Sequence, residues 1–352
     1  MRVTEFDFQL PEGLIAQEPT KDRGASRMMI LDRTTGAVSH DRFAGLADQL
    51  RADDLLVLND TKVVPARLRG RKPTGGAVEM LLVERVDNPS GGLSIWRALI
   101  AGSRALRPGA VLTFPAGLRA SLLERDGDFW RLELFHGHGD LAVALETVGE
   151  MPLPPYIRRD PEDPRRSVDR ERYQTVYAAV PGALAAPTAG LHVTRELLES
   201  LHVRGVASAV LTLHVGPGTF LPLRVDDVER HRMHAESYVL PPATAEAIVR
   251  ARSRGGRIVA VGTTVARTLE SCPDGRGGVL AGRGRSSLFI YPGFRFQVVD
   301  ALVTNFHLPK STLLMLVCAL AGTSSVLAAY REAIREGYRF YSYGDAMLVR
   351  PA

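Results

Sequence analysis

Four histidines stand in segments rich in glycine and proline, where proton-transfer chemistry could be placed. They are His192 in APTAGLH, His214 in TLHVGPG, His234 in HRMHAE and His307 in TNFHLPKST. Histidine is the side chain best suited to moving protons near neutral pH. A lone histidine is more often a structural hydrogen-bonding residue, but catalytic groups collect on loops, so the four together are candidate catalytic residues.

Two glycine-containing segments could hold a ligand, because each follows a predicted strand. They are LTLHVGPGTF (residues 211–220) and VAVGTTVARTLES (residues 259–271). In open α/β sheets ligands bind at the carboxyl ends of strands, and a helix N-terminus offers unpaired N–H groups to an anion. Neither segment is a Walker motif or a GxGxxG, so an ordinary strand-to-helix turn remains the competing interpretation. The candidate substrate-binding residues are Gly216, Gly218, Gly262, Thr263 and Thr264.

A metal site is the weaker interpretation of the histidines. His231 and His234 are spaced i, i+3 with Glu236 nearby, but the HEXXH motif is absent. Cys272 and Cys318 are the two cysteines and stand far apart, which argues against a disulfide framework and a thiolate zinc site. We therefore expect no metal.

The elements that must position these residues alternate between helices and apolar strands after Leu184. Thr194 can cap a helix that Gly205 ends, residues 206–215 form a strand, and residues 243–254 form a helix. A strand over 257–261 then opens at Gly262 onto a helix over about 264–271, and Ser324 or Ser325 can cap a further helix. This alternation predicts an α/β domain with a parallel or mixed sheet.

Residues 63–135 are predicted to form short strands separated by turns. Asp126-Gly127 lies between apolar runs at 119–124 and 129–135, which is a strong hairpin signal. Several strands at this spacing favour a small barrel or sandwich. The predicted fold class is α/β: a discontinuous mixed-sheet catalytic domain (residues 1–60 and 152–352) interrupted by an all-β, barrel-like insertion (residues 61–151), with residues 151–166 as the return linker.

Composition sets the broad class. The 352 residues are 45% hydrophobic and 24% charged, which is ordinary for a chain that buries a core. The formal charge of +5 permits an anionic partner without demonstrating one. The N-terminus does not resemble a signal peptide, and the most apolar run, residues 313–321, is far shorter than the roughly 20 residues of a membrane helix. A cytoplasmic location without membrane contact is therefore expected.

Long ordered motifs carry a family resemblance over nearly the whole chain, from about Phe6 to Met347. They are LVLNDTKVVPARL (56–68), MPLPPYIRR (151–159), ERYQTVYA (171–178), AAPTAGLH (185–192), LTLHVGPGTFLP (211–222), HRMHAE (231–236), LFIYPGF (288–294), VVDALVTNFHLPKSTLLMLV (298–317) and YRFYSYGDAM (338–347). Together they resemble the S-adenosylmethionine:tRNA ribosyltransferase-isomerase family of queuosine biosynthesis. Lys62 replaces a frequent arginine of that family, and Val193 replaces a frequent aromatic residue.

The resemblance implies a transferase-isomerase that moves the ribosyl moiety of S-adenosylmethionine onto 7-aminomethyl-7-deazaguanine at the tRNA wobble position. The product would be epoxyqueuosine-tRNA, with adenine and methionine released. S-adenosylmethionine would then be a consumed cosubstrate, with no true cofactor and no metal. The implied partner is the anticodon region of tRNA; the sequence leaves the oligomeric state open, and a monomer is compatible with it.

Such a reaction needs a base, an acid for adenine, and a pocket for an extruded RNA base. His192 and His214 are our first hypothesis for the proton-transfer pair, with His234 and His307 second. Tyr343 could stack on a base and Asp345 could bind a polar edge of a substrate. The candidate RNA-binding residues are Lys62, Arg67, Arg69, Arg71, Lys72, Arg158, Arg159, Arg165 and Arg166.

Two other classes of function remain open at this stage. An RNA-binding module without catalysis would explain the basic runs but would leave the histidines and the glycine-containing loops without a role. A metal-dependent hydrolase would use His231 and His234.

Overall fold

The computed structural model describes residues 1–87, 93–137, 139–160, 162–220, 223 and 225–351. Contacts divide the chain into two compact units. Unit 1 comprises Met1–Lys62, Pro154–Arg158 and Arg172–Ala352, and unit 2 comprises Val63–Leu153 and Arg159–Glu171. The segment Arg159–Glu171, which the sequence analysis assigned to the α/β domain, therefore clusters with the insertion.

The strands and helices are numbered in chain order. The strands are β1 (Arg27–Asp32), β2 (Val38–Arg42), β3 (Leu55–Asn59), β4 (Thr61–Val63), β5 (Arg67–Arg71), β6 (Ala77–Asp87), β7 (Leu93–Ala101), β8 (Val111–Thr113), β9 (Arg119–Asp126), β10 (Phe129–Phe135), β11 (Val180–Ala183), β12 (Ala207–Leu213), β13 (Glu236–Leu240), β14 (Ile258–Val261), β15 (Gly282–Ser286), β16 (Ala301–Asn305) and β17 (Ala346–Arg350). The helices are α1 (Leu46–Gln49), α2 (Leu141–Val148), α3 (Arg165–Arg172), α4 (Arg195–Val203), α5 (Pro242–Ser253), α6 (Thr263–Ser271), α7 (Thr312–Ala321) and α8 (Thr323–Arg335).

Unit 1 contains a mixed nine-stranded sheet in the order β15-β13-β12-β3-β14-β16-β17-β1-β2. Its centre is parallel, because β3 pairs in parallel with β12 and β14, and β14 pairs in parallel with β16. Every residue of β3, β14 and β16 is buried, as expected for strands covered on both faces. The predicted mixed-sheet α/β architecture is confirmed, and the carboxyl ends of four neighbouring strands lie along one edge.

The helix signals of unit 1 are mostly confirmed. The hydroxyl of Thr194 accepts a hydrogen bond from the Leu197 N–H at 3.1 Å and caps α4, and Gly205 adopts a positive φ just after it. The cap proposed for α8 was wrong. That helix begins at Thr323 after Gly322, whose φ of +84° is a conformation that glycine adopts without strain.

Unit 2 contains a closed antiparallel barrel of six strands in the order β10-β7-β6-β5-β8-β9, which confirms the predicted barrel-like fold. The Asp126-Gly127 hairpin is present, since β9 and β10 pair from Phe129 opposite Asp126, and Gly127 has a φ of +59°. In place of a plain return linker, the chain forms α3 from Arg165 onward.

Among the described residues, no single helix is long and apolar enough to cross a membrane. Only α7 and α8 taken together pass such a test of length and composition, and they are bent by 115° at their junction. Most of α7 is buried, with seven of its residues in the interior.

Candidate active site

A narrow cleft in unit 1 lies beside one of the predicted histidines. The cleft and the solvent space at its mouth together measure about 240 Å³. Its lining residues are Pro19, Thr20, Arg23, Ser26, Arg172, Leu191, His192, Ser342 and Tyr343. The cleft therefore contains two residues singled out from the sequence, His192 and Tyr343.

His192 ends the short 3-10 helix Thr188–His192, which places its imidazole in the interior, where the residue is 4% exposed. Its Nδ1 lies 3.0 Å from the Ser26 hydroxyl, and its Nε2 lies 3.1 Å from the side-chain nitrogen of Asn305. Burial, with Arg339 and Arg23 adding repulsion, lowers the pKa of His192 to about 3. The ring is therefore neutral near pH 7.

Asn305, the last residue of β16, fixes which imidazole nitrogen carries the proton. Its amide nitrogen also lies 3.1 Å from the carbonyl oxygen of Tyr341, and a carbonyl can only accept a hydrogen bond. The amide group thus donates to both Tyr341 and Nε2 of His192, so Nδ1 is protonated and donates to Ser26. The Oδ1 atom of Asn305 is buried without a hydrogen-bond partner among the described residues, a situation that costs about 1–3 kcal/mol.

The turn after Phe340 brings two further residues to the cleft. Tyr341 has a φ of +72°, a left-handed conformation that is strained for a bulky side chain and costs about 1–3 kcal/mol. The hydroxyl of the next residue, Ser342, is hydrogen-bonded to the hydroxyl of Tyr156 at 2.6 Å. Tyr343 is buried and packs edge-on against Tyr173, with ring centroids 5.8 Å apart.

Asp345 closes this turn. One carboxylate oxygen accepts the N–H of Arg27 at 2.9 Å, and the other accepts the N–H of Arg339 at 2.8 Å. Burial nevertheless raises the pKa of Asp345 above its ordinary value. Both oxygens serve the backbone here, and substrate binding by Asp345 stays a prediction.

His214 follows β12 and is half-buried. Its Nδ1 lies 2.8 Å from the hydroxyl of Thr61, and burial lowers its pKa while Asp60 opposes the shift. A methyl group added at Gly182 would meet the imidazole at 2.8 Å, so only glycine allows the β11 backbone this close. His214 therefore has a fixed ring with one nitrogen engaged by a hydroxyl.

Asn59, the last residue of β3, connects the two predicted ligand loops. Its Oδ1 accepts the N–H groups of Thr61 at 3.2 Å and Leu213 at 3.0 Å. Its Nδ2 donates to the Leu213 carbonyl at 3.0 Å and to the Thr264 hydroxyl at 3.2 Å. This fully buried amide thus ties the ends of β3 and β12 to the first turn of α6.

The contacts run along one edge of the sheet. Gly262, with a φ of +97°, opens α6, and a Cβ built there would lie 3.8 Å from Ala189 in the 3-10 helix that carries His192. His214 and Asn305 stand at the ends of β12 and β16, three strand spacings apart, or about 14 Å. His214 and Asn305, the partner of His192, are therefore well separated along this edge.

A buried ion pair supports the loop after β12. The Gly216 N–H donates to Glu236 Oε1 at 2.9 Å, and the other carboxylate oxygen lies 2.6 Å from Arg267 of α6. The pair is 9% and 5% exposed at its side chains. The N–H of Gly216 is therefore already hydrogen-bonded within the protein. Gly218 is exposed, and Leu221 and Pro222 of the same motif lie outside the described residues.

The other two histidines differ in setting. His307 is buried, its Nε2 lies 2.7 Å from the Thr304 hydroxyl, and burial lowers its pKa to about 3. His234 is exposed and stands near Gly218. His231 packs edge-on against Phe289, with ring centroids 5.1 Å apart. Among the described residues, no group of three histidine, cysteine or acidic side chains is arranged to hold a metal ion.

Most of the predicted RNA-binding arginines of unit 2 are paired with acids. Arg69 and Arg166 both contact Glu150, the former at 3.0 Å, so the two basic runs meet at this carboxylate. Arg159 forms an ion pair with Asp169 at 2.7 Å that is buried on both sides. The remaining contacts join Arg67 and Arg69 to Glu79, Arg165 to Asp163, Arg71 to the Gly75 carbonyl and Lys72 to the Gly102 carbonyl.

Two predicted RNA-binding residues lie in unit 1. Lys62 is exposed, and Arg158 forms an exposed ion pair with Glu12 at 2.7 Å. An exposed pair of this kind contributes little stability and opens readily to a competing phosphate.

Sequence reasoning missed the residues that organise the site: Ser26, Asn59, Asn305, Glu236 and Arg267. A usable signal existed for Asn59 and Asn305, since both are polar residues at the last position of an otherwise apolar strand. The pairing of Glu236 with Arg267 joins positions 31 residues apart, which no local pattern reveals.

Comparison with known proteins gives one family. The family model described as "Queuosine biosynthesis protein" matches residues 3–349. Among curated proteins, the chain is 55% identical over 350 residues to the S-adenosylmethionine:tRNA ribosyltransferase-isomerase of Pelobacter propionicus, covering 99% of this chain and 100% of that protein. It is 56% identical over 354 residues to the protein of the same name from an Anaeromyxobacter species, with 100% of both chains covered.

A solved structure is also similar. The crystal structure of S-adenosylmethionine tRNA ribosyltransferase from Thermotoga maritima matches with a TM-score of 0.54 and 38% sequence identity. The match covers 98% of this chain and 99% of that one.

Proposed function

The chain belongs to the S-adenosylmethionine:tRNA ribosyltransferase-isomerase family of queuosine biosynthesis, and we propose that it performs the family's reaction along the strand-end edge of unit 1. It is a transferase-isomerase that acts on tRNA with S-adenosylmethionine. The ribosyl moiety moves onto 7-aminomethyl-7-deazaguanine, adenine and methionine leave, and epoxyqueuosine-tRNA results. The observation that carries this conclusion is full-length identity of 55–56% to proteins of that name.

S-adenosylmethionine is proposed to bind across the loops after β12 and β14. The open first turn of α6, entered through the positive φ of Gly262, supports this placement because its N–H groups face the strand-end edge. Thr263 is buried, and the hydroxyl of Thr264 is held by Asn59. Gly216 and Gly218 would contribute close backbone approach rather than hydrogen bonds.

His214 is the proposed general base. The sulfonium of S-adenosylmethionine acidifies the neighbouring 5′ carbon, and removal of its proton starts the elimination of adenine. A base must be neutral at the working pH and must have an unoccupied nitrogen. The lowered pKa of His214 supports the first condition. Donation from Nδ1 to Thr61 would leave the lone pair of Nε2 available, which supports the second.

His192 is proposed to orient substrate through Ser26. Its Nε2 already accepts from Asn305 and its Nδ1 donates to Ser26, so neither nitrogen takes up a proton without breaking a buried hydrogen bond. Donation from His192 leaves the Ser26 hydroxyl hydrogen available to the Thr20 hydroxyl, 3.5 Å away, or to a polar atom of a substrate in the cleft that both residues line. Tyr343, in the same cleft, is proposed to contact an extruded base.

His234 and His307 remain second proposals for proton transfer. His234 is exposed and near Gly218, so it could reach a leaving adenine bound at that loop. The imidazole of His307 is engaged by the Thr304 hydroxyl, and the backbone N–H of His307 donates to the Tyr330 hydroxyl at 3.0 Å. A structural role suits His307 better.

For the remaining features we propose contact with the anticodon region, a cytoplasmic location, action as a monomer, and no cofactor or metal. The nine basic residues predicted from the sequence are proposed to bind phosphates, with Lys62, Arg71 and Lys72 contributing most because no carboxylate pairs with them in the described chain. Arg159, in its buried pair, would support α3 instead.

The deciding experiment is product analysis by mass spectrometry. The protein is incubated with S-adenosylmethionine and an anticodon stem-loop that carries the aminomethyl-deazaguanine. Free adenine, free methionine and epoxyqueuosine in the RNA are expected. Bound but unmodified RNA beside intact S-adenosylmethionine would contradict the proposal, and so would methylated RNA with S-adenosylhomocysteine.

A further inference from the structure

A group of partly exposed aromatic rings lies on unit 1 outside the cleft. His231 packs on Phe289, and Phe289 packs on Tyr291 with ring centroids 5.0 Å apart. Phe294 and Phe296 form a second pair at 5.2 Å. All five side chains are only partly buried, whereas aromatic rings that serve the core of unit 1, such as Phe306 and Phe340, are fully enclosed.

The chain presents these rings from a rigid turn. The Phe294 N–H donates to the Tyr291 carbonyl at 3.0 Å, Pro292 occupies the second position, and Gly293 has a φ of +102°. These are the requirements of a type II turn. Because proline and glycine preset this backbone, Tyr291 and Phe294 are held at its two ends at little further cost in conformational entropy.

Helix α6 anchors both ends of the aromatic segment. Arg267 donates to the Leu288 carbonyl at 3.0 Å, just before Phe289. Glu270 accepts the N–H groups of Gln297, Val298 and Val299 at 2.8–3.0 Å, just after Phe296. The same Arg267 pairs with Glu236, which holds Gly216. The ring surface is thus fixed to the helix whose first turn is the proposed S-adenosylmethionine site.

Three exposed arginines lie in the segments that carry or precede the rings. Arg232 follows His231, Arg283 lies on the edge strand β15, and Arg295 separates Phe294 from Phe296. All three are exposed, and none forms an ion pair within the described part of the chain. They therefore differ from Arg69 and Arg166 of unit 2, which must leave Glu150 before they can bind a phosphate.

We propose that Phe289, Tyr291 and Phe294, with His231, form a stacking surface for unpaired bases of the tRNA loop, flanked by Arg232, Arg283 and Arg295 as phosphate contacts. Aromatic side chains bind single-stranded RNA by stacking on bases that are free of a helix, while arginines follow the backbone. A paired stem offers no such base faces. This inference rests on the proposed function, because it names the surface that positions the RNA for that reaction.

The test compares full-length variants in fluorescence anisotropy with two RNAs: an anticodon stem-loop and the blunt duplex of its stem. Phe289→Ala and Tyr291→Ala should each weaken stem-loop binding about 10-fold, because stacking contributes roughly 1–3 kcal/mol per base. Duplex binding should not change. Tyr291→Phe keeps the ring and should bind as wild type, and equal melting temperatures exclude a folding defect.

The arginines are tested by the salt dependence of RNA binding. Arg283→Gln and Arg295→Gln should each weaken stem-loop binding. Each should also reduce the slope of log binding constant against log salt concentration by about one. Arg331→Gln, an exposed arginine of α8, is the matched control and should leave both unchanged. Release of adenine by the wild type with saturating stem-loop tests the proposed function separately. If adenine is released while Phe289→Ala and Tyr291→Ala bind the stem-loop as tightly as wild type, the stacking surface is wrong and the proposed function stands.

Discussion

At the scale of single residues, Asn305 determines what His192 can do. One amide group satisfies both an imidazole nitrogen and the carbonyl of a strained turn, so the histidine's tautomer and the position of Ser342 and Tyr343 depend on the same side chain. The unpartnered Oδ1 is the cost of that arrangement.

Replacement of Asn305 by aspartate should therefore change the chemistry of His192. A carboxylate cannot donate to Tyr341 and favours a protonated Nε2, so the pKa of His192 should rise from its low value and turnover should fall about 10-fold or more. Imidazole NMR titration and initial rates of adenine release measure the two effects. Unchanged titration of His192 with full turnover would contradict the assignment.

Turnover should fall more on loss of the His214 side chain than on loss of any other histidine side chain. His214→Ala is expected to lower kcat by at least roughly 100-fold if its imidazole removes the 5′ proton. Thr61→Val keeps the shape of the neighbour but removes the Nδ1 partner, and it should give a smaller loss. His202→Ala, which alters an exposed histidine of α4, provides the comparison in the same rate assay. A near-normal rate for His214→Ala would remove it as the base.

At the scale of elements, the 3-10 helix Thr188–His192 is positioned by a glycine without space for a side chain. A Cβ built at Gly190 lies 2.0 Å from the Tyr177 hydroxyl and 2.9 Å from Thr175. That hydroxyl is buried and has no hydrogen-bond partner in the described chain. The tyrosine therefore contributes shape here, and the helix must pass directly over its ring edge.

Gly190→Ala should displace this helix, and His192 with it, and should lower the free energy of unfolding by about 1–3 kcal/mol through overpacking. The double variant Gly190→Ala/Tyr177→Phe removes the clashing oxygen and should recover part of the loss. Tyr177→Phe alone is the control and should be neutral or stabilising. Urea denaturation of the three variants measures the coupling energy between the two positions. If the changes in the free energy of unfolding of the two single variants simply add up in the double variant, the contact between Gly190 and Tyr177 is refuted.

Sequence patterns identified elements better than they identified the site. Hydrophobic periodicity, helix caps and turn residues predicted the mixed α/β sheet and the barrel, because each of these signals is local. Thr194 caps the helix that it precedes, and Asp126-Gly127 forms the turn between the two strands beside it. His192 and Tyr343 were singled out from the sequence, but their grouping with Ser26 and Asn305 could not be found in this way. Ser26, His192, Asn305 and Tyr343 meet only because the sheet order brings distant segments together, and nothing in the spacing of the sequence encodes that order.

At the scale of the whole molecule, the two buried histidines link stability to pH. Burial lowers the pKa of His192 and of His307 to about 3, against an ordinary value near 6.5. Between these values the unfolded chain binds more protons than the folded one, so stability is fully present above about pH 6.5 and is lost as the pH falls toward 3.

The free energy of unfolding should therefore drop by about 2 kcal/mol per histidine between pH 6.5 and pH 5. Urea denaturation at the two pH values measures the drop. His307→Gln removes one titrating group and should reduce the drop by about half, which separates the histidine contribution from that of other groups. An equal drop in the variant and the wild type would show that His307 is not buried in its neutral form.

The sheet order also governs when the molecule can fold. β3 lies at the centre of the sheet, yet Asn59 and its partner Leu213 are 154 residues apart, and β1 is completed by β17, where Arg27 and Asp345 are 318 residues apart. Long-range parallel pairing is slow, and domains emerge from the ribosome in order of synthesis. The strands β5–β10 are contiguous in sequence, so the barrel can close while the nascent chain is still being made. In the sheet, β1 can pair early with its neighbour β2, but β3 stays without its partners until β12 and β14 have been made. The other edge of β1 is completed only by β17, one of the last segments to leave the ribosome, so the sheet closes after the barrel.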